Sequence, residues 1–182
     1  MGPFEYLWLT VFVIFVLVAL VRKYPDELGT TTIIFTILFL ITFFLIPKLP
    51  GLVNDVYRRI FHTTMPERQM QHLMASLMSL IFIGAIFASY AGRTFAFPGK
   101  PAPGWRGTFY SLLVGMMNGY LISGSLWYFQ DYYKYPITDF GLLYLPLTPL
   151  GEKMAAFLPP YVVPPVFWAV LVAIMLLFRV RK

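Results

Sequence analysis

Cysteine does not occur in the chain, which excludes disulfides, thiolate metal sites and thiol nucleophiles together. Charge is scarce: 12% of the 182 residues are Asp, Glu, Lys or Arg, against about 25% in soluble domains. Histidine occurs only at His62 and His72, without a clustered carboxylate. That is too few convergent ligands for zinc, and bland polar histidines are the expected reading. No P-loop, paired-glycine dinucleotide fingerprint, HExxH or serine and histidine pair in register is present. An enzyme is therefore not expected, nor is a cofactor or a metal.

What fills the chain is hydrocarbon: 59% of its residues are hydrophobic, 19% are aromatic, and the mean hydropathy is +0.72. This composition predicts an all-α integral membrane protein forming a single domain over residues 1–182. The formal charge of +6 sits in residues scattered at the ends of apolar segments. They make no continuous groove, so nucleic acid is not an expected partner, and the lipid bilayer is.

Five segments approach the ~20 apolar residues that cross a bilayer, at about 4–21, 28–46, 71–91, 108–129 and 161–178. The first has no basic region before it and no small-residue cleavage pattern after it, so it reads as a retained helix. The second contains no charge, and Thr30, Thr31, Thr32, Thr36 and Thr42 are expected to bond back to carbonyls of their own helix. The fifth begins in Pro159, Pro160, Pro164 and Pro165, so its regular helix is predicted from Pro164 or Pro165 onward.

Between the second and third segments, Leu52, Val53, Val56, Tyr57, Ile60 and Phe61 share one half of a helical wheel. Asn54, Asp55, Arg58, Arg59 and His62 hold the other half. The pattern predicts a short interfacial amphipathic helix at about 52–62. Thr64, Met65, Pro66 and Glu67 read as the cap and first turn of the next helix. The segment from Gln130 to Pro160, rich in Tyr, Pro and Leu, is expected on the outer interface, with a shielded re-entrant course through Leu142 to Leu158 as the alternative.

In the fourth segment small residues recur every four positions, at Gly107, Ser111, Gly115, Gly119 and Ser123. A four-residue step drifts about 40° around a helix, so only Ser111, Gly115 and Gly119 share one tight face. Such faces let helix backbones approach closely in lipid. Ser111, Asn118 and Ser125 form a polar stripe beside that face, read as interhelical hydrogen bonding or as the lining of a solute path. Gly84, Ala88 and Gly92 make a matching patch on the third segment, for which the fourth is the expected partner.

Arg22 and Glu27 are expected to form an ion pair in the cytoplasmic turn between the first two segments, at the membrane edge. Arg106 opens the fourth segment on the same side. That side carries Arg22, Lys23, Arg93, Lys100, Arg106, Arg179, Arg181 and Lys182. The other carries Lys48, Arg58, Arg59, Arg68, Lys134 and Lys153. Eight basic residues against six favour an outside N-terminus and a cytoplasmic C-terminus. No charge falls in the middle of a predicted span, which argues against a proton-coupled transporter or a voltage sensor.

The turn Arg22-Lys23-Tyr24-Pro25-Asp26-Glu27 keeps the Arg, aromatic and Glu of the Arg-Gly-aromatic-x-x-Glu turn of the colicin V production protein (CvpA) family, with Lys23 in place of Gly. Trp105, Arg106, Gly115, Asn118 and Gly119 occupy places comparable to the Arg and glycines of that family's last shared helix, without its Asp and second Arg. On these residues the chain resembles a divergent CvpA member over about residues 1–130, with an extra C-terminal helix beyond the family's four. The resemblance implies a bacterial cytoplasmic (inner) membrane protein with a structural or interaction role in membrane homeostasis or export. It supplies no catalytic residues. A homo-oligomer or other membrane subunits are the expected partners. An accessory subunit of a larger membrane complex and a small-solute channel or transporter stand as alternatives.

Overall fold

The computed structural model describes residues 2–92, 97, 101–141 and 143–180. Arg93, Lys100, Arg181 and Lys182 of the charge count, and Leu142 of the re-entrant alternative, lie outside the described residues.

The described chain is helical, and its one β-type contact is an isolated bridge between Gly2 and Leu143. The helices are α1 (Phe4–Arg22), α2 (Tyr24–Phe39), α3 (Ile46–Phe61), α4 (Glu67–Ala91), α5 (Trp105–Tyr132), α6 (Pro149–Ala155), α7 (Pro159–Val162) and α8 (Pro165–Val180). A π-helical segment, Leu40–Leu45, joins α2 to α3, and a 3-10 turn, Pro136–Phe140, follows α5. Among the described residues three helical stretches are long and apolar enough to cross a membrane: Phe4–Arg22, Tyr24–Phe61 and Glu67–Ala91.

The other two predicted spans differ in instructive ways. α5 has 28 residues, but Gly, Ser, Asn and Tyr dilute its apolar character. It is the hub of the bundle, packed against α1, α2, α4, α6 and α7; its C-terminal half is mostly buried, whereas Phe109, Leu113 and Met116 of its N-terminal half are exposed. α8 starts at Pro165, where the prolines predict it, and has 16 residues, a rise of about 24 Å.

The separate interfacial helix at 52–62 is corrected: α2, the π segment and α3 form one continuous helix of 38 residues. Pro47 and Pro50 lie inside it. A proline ring clashes with the carbonyl four residues back, and the wider π turn just before Pro47 relieves that clash at Phe43. α3 remains strongly amphipathic and only its first residue, Ile46, is buried. At the start of α4 the N-cap is Pro66, without a side-chain bond from Thr64. The turn is held instead by Asn54, whose Oδ1 accepts from the Met65 amide at 3.1 Å.

The segment after α5 folds into the bundle. Thr148 caps α6 by accepting from the Gly151 amide and itself donates to Glu5 of α1. The Phe157 carbonyl accepts from Tyr120, a residue 12 positions before the end of α5 and so about 18 Å along its axis. Leu158, Pro159 and Pro160 are buried, with Pro159 against Gly124. Tyr161 and Tyr135 both donate to Asp131. Between Phe157 and Tyr161 burial is confined to Leu158, Pro159 and Pro160, and the two flanking residues are exposed.

Candidate functional site: a buried carboxylate shared by four helices

The α1–α2 turn is a single residue, Lys23, at φ 72° and ψ 153°. This conformation is almost confined to glycine. It brings α2 back beside α1 at once, so that Glu27, in the first turn of α2, points into the bundle.

The Glu27 side chain is 0% exposed. Its Oε1 accepts from Arg22 Nη1 at 3.0 Å. Its Oε2 accepts from the Tyr90 hydroxyl at 3.1 Å and from Asn118 Nδ2 at 3.0 Å. The donors thus come from α1, α4 and α5, and the acceptor from α2. Arg22 also donates to Thr30 Oγ1 at 3.2 Å, and its guanidinium lies 4.3 Å from the Tyr90 ring centroid. That stacking adds cation–π attraction to the ion pair. The expected pair therefore forms, with its carboxylate buried inside the bundle. Arg22, 21% exposed, is the cluster's route to the surface.

Asn118 is also fully buried and satisfied at every polar position. Its Nδ2 reaches the Glu27 carbonyl at 3.1 Å as well as the carboxylate, and its Oδ1 accepts from Thr31 at 2.7 Å. Ser111 accepts from the Tyr24 amide at 3.0 Å and donates to the Gly107 carbonyl at 2.9 Å. It thereby fixes the first residue of α2, whose amide has no partner within the helix. Ser125 is buried with its hydroxyl unpartnered. The polar stripe lies inside packed interfaces, and none of its three residues lines the bundle's cavity.

The small-residue face of α5 is filled by α1. A Cβ on Gly115 would come within 2.6 Å of Ala19 Cβ, and one on Gly119 within 2.8 Å of the Phe12 carbonyl oxygen. The partner expected for this face, the Gly84, Ala88 and Gly92 patch of α4, lies elsewhere. A Cβ on Gly84 meets nothing within 4 Å, and Ala88 is exposed. α4 meets α5 through larger side chains, with Phe82 edge-on to Phe129 at 5.7 Å. Gly92 ends α4, and Arg106 is exposed on the first turn of α5, outside the cluster.

Sequence reasoning missed Tyr90, Ser89, Thr30 and Thr31 as members. The two threonines carried a signal, being three and four residues after Glu27 and so on its helical face. Of the five threonines expected to back-bond, Thr31, Thr32, Thr36 and Thr42 each reach the carbonyl four residues earlier, whereas the Thr30 hydroxyl accepts from Arg22 instead. Tyr90 and Ser89 carried none, because only tertiary packing brings α4 there.

A second polar group sits at the other end of the bundle. Asp139 takes a bidentate contact from Arg68, at 2.7 and 2.5 Å, and pairs with His72 Nε2 at 2.7 Å. These partners hold the Asp139 carboxyl down at about 2, by hydrogen bonds from Arg68 first and His72 second. Beside it Lys134 pairs with Glu67 at 3.0 Å. His62 has no part here and ends α3 in a left-handed conformation. Among the described residues no group of His, Asp and Glu could hold a metal ion.

Comparison with protein-family models, characterised proteins and solved structures finds no match. Fold and site define a class: a helical protein whose apolar helices are compatible with membrane insertion, organised around a buried carboxylate.

Proposed function

We propose that the chain is a multi-pass protein of the bacterial cytoplasmic membrane, CvpA-like, with a structural or interaction role in membrane homeostasis or export and no catalytic activity. α5 and α8 serve as the fourth and fifth spans, with the N-terminus outside and the C-terminus cytoplasmic. The observation that carries this reading is the saturation of Glu27: every strong donor near it is spent on joining helices. A carboxylate used this way is a structural lock, and the polar stripe is part of the same lock and not the lining of a solute path.

The CvpA-like reading gains support at Lys23. The chain carries lysine where the family turn has glycine, and at this position φ is positive, 72°. The spent small-residue face of α5 leaves the Gly84 and Ala88 face of α4 for assembly with a second copy or another membrane subunit. The test is chemical crosslinking in native membranes followed by mass spectrometry, comparing wild type with Gly84→Leu/Ala88→Leu. The expected result is loss of the crosslinked species in the variant. An unchanged crosslink profile would falsify the assembly role of this face.

A further inference from the structure

A cavity of about 530 Å³ lies between α1, α4 and α5 at the end of the bundle that carries Asp139, far from the Glu27 cluster. Its volume is that of a small-molecule site. The chemistry of its lining is ordered along one face of α4. From the N-terminal end of the helix the lining runs His72, then Ser76 and Ser79 one and two turns on, then Leu80 and Ile83. From His72 to Ile83 the helix rises about 16 Å, close to half of the ~30 Å hydrocarbon core. The opposite wall is apolar, with Leu7, Trp8 and Val11 of α1. Leu7 and Leu80 on the rim are exposed, so the cavity opens sideways onto the apolar flank of the bundle. Arg68, paired with Asp139, and Lys134, paired with Glu67, lie outside the lining beyond its His72 end, linked to it through the Asp139 that His72 shares, so a phosphate there would share its donors with those two carboxylates.

Charge, then hydroxyls, then hydrocarbon over one leaflet's depth is the order of phosphate, ester and acyl chain in a glycerophospholipid. We propose that this cavity holds one acyl chain of a bilayer glycerophospholipid, with the phosphate at Arg68 and Lys134 and the ester region at Ser76 and Ser79. The inference rests on the membrane reading above but not on the assembly role of α4. Occupancy completes the α1–α4 contact, which the protein alone leaves open.

The test reconstitutes the full chain into phosphatidylcholine vesicles doped with a phospholipid carrying a photoactivatable group near the end of one acyl chain. Labelled residues are then mapped by mass spectrometry. Val170 and Leu177 of α8, both exposed and apolar, supply the reference for ordinary lipid contact. The expected result is labelling of Ile83 and Val11 about tenfold above that reference, falling to it in Ser79→Trp. A free fatty acid bearing the same group is expected to lack the enrichment. A second variant, Ser76→Phe, obstructs the mouth and is expected to act in the same way. Equal labelling of cavity and α8, enrichment that survives both substitutions, or equal enrichment by the fatty acid would each overturn the proposal. Absence of label on α8 as well would instead overturn the membrane reading on which it stands.

Discussion

The two oxygens of Glu27 receive three donors in an interior that water does not reach, so each partner's removal strands another polar group. Glu27→Ala leaves Arg22 without its counter-charge and Asn118 with an unmet donor, and is expected to cost about 3–5 kcal/mol. Asn118→Leu keeps the ion pair and is expected to cost less, about 1–2 kcal/mol, since hydrogen bonds between membrane helices average under 1 kcal/mol. Unfolding titrations in mixed micelles should give that order, and a Glu27→Ala variant as stable as Asn118→Leu would remove the lock. Lys23 argues in the opposite direction. Its φ of 72° with ψ of 153° strains any side chain, so Lys23→Gly is expected to raise stability by about 1 kcal/mol despite the added freedom of the unfolded chain. A lowered unfolding midpoint for Lys23→Gly would show that the lysine's bond to the Leu20 carbonyl outweighs the strain.

Among the helices, the α1–α5 contact depends on glycine and the exposed face of α4 does not. Gly115→Leu must displace Ala19 and the Val16 backbone, and is expected to destabilise the single chain by about 3 kcal/mol or more. Gly84→Leu meets open space, and its effect on the unfolding of the isolated chain is expected to stay within about 0.5 kcal/mol. Equal effects of the two would contradict the packing described. That contrast also marks what was legible in the sequence. The close-contact face at Ser111, Gly115 and Gly119 was, because a four-residue repeat is a property of one helix. So were the proline-set start of α8 and the threonine back-bonds, which are equally local. The partner of the glycine face was not legible, since α1 offers Phe12, Val16 and Ala19, which look like any lipid-facing helix. Nor was the continuity of α2 into α3: two prolines normally end a helix, and nothing in Leu40–Leu45 announces the wider turn that absorbs the first of them. The descent of Pro149–Val162 into the bundle was hidden for a similar reason, because its anchors, Glu5, Tyr120 and Asp131, lie on distant segments.

At the scale of the whole molecule the two ends of the bundle are closed by different physics. At the Glu27 end the carboxylate is fully buried and its Arg22 partner 21% exposed, whereas the Asp139 end is wet: the side chains of Arg68 and Asp139 are 42% and 44% exposed. Salt therefore acts more strongly on the second than on the first. Asp139 joins the turn after α5 to the first turns of α4 across some 70 residues of sequence, so its charge state sets how firmly that turn is tied down. Its carboxyl lies at about 2 in the folded chain against an ordinary 3.8. A depressed carboxylate stabilises the folded state fully above its unfolded value and loses that contribution as pH falls through its folded value. The window for Asp139 thus runs from about pH 4 down to about pH 2. The wild type should exceed Asp139→Asn in unfolding midpoint at pH 5, with the margin closing as pH approaches 2. Raised salt should narrow the same margin at pH 7, because both partners are open to water. A margin independent of pH between 5 and 2 would mean that the turn is held by the apolar contacts of Ile137 and Phe140, with the ion pair riding on a structure that other forces already fix.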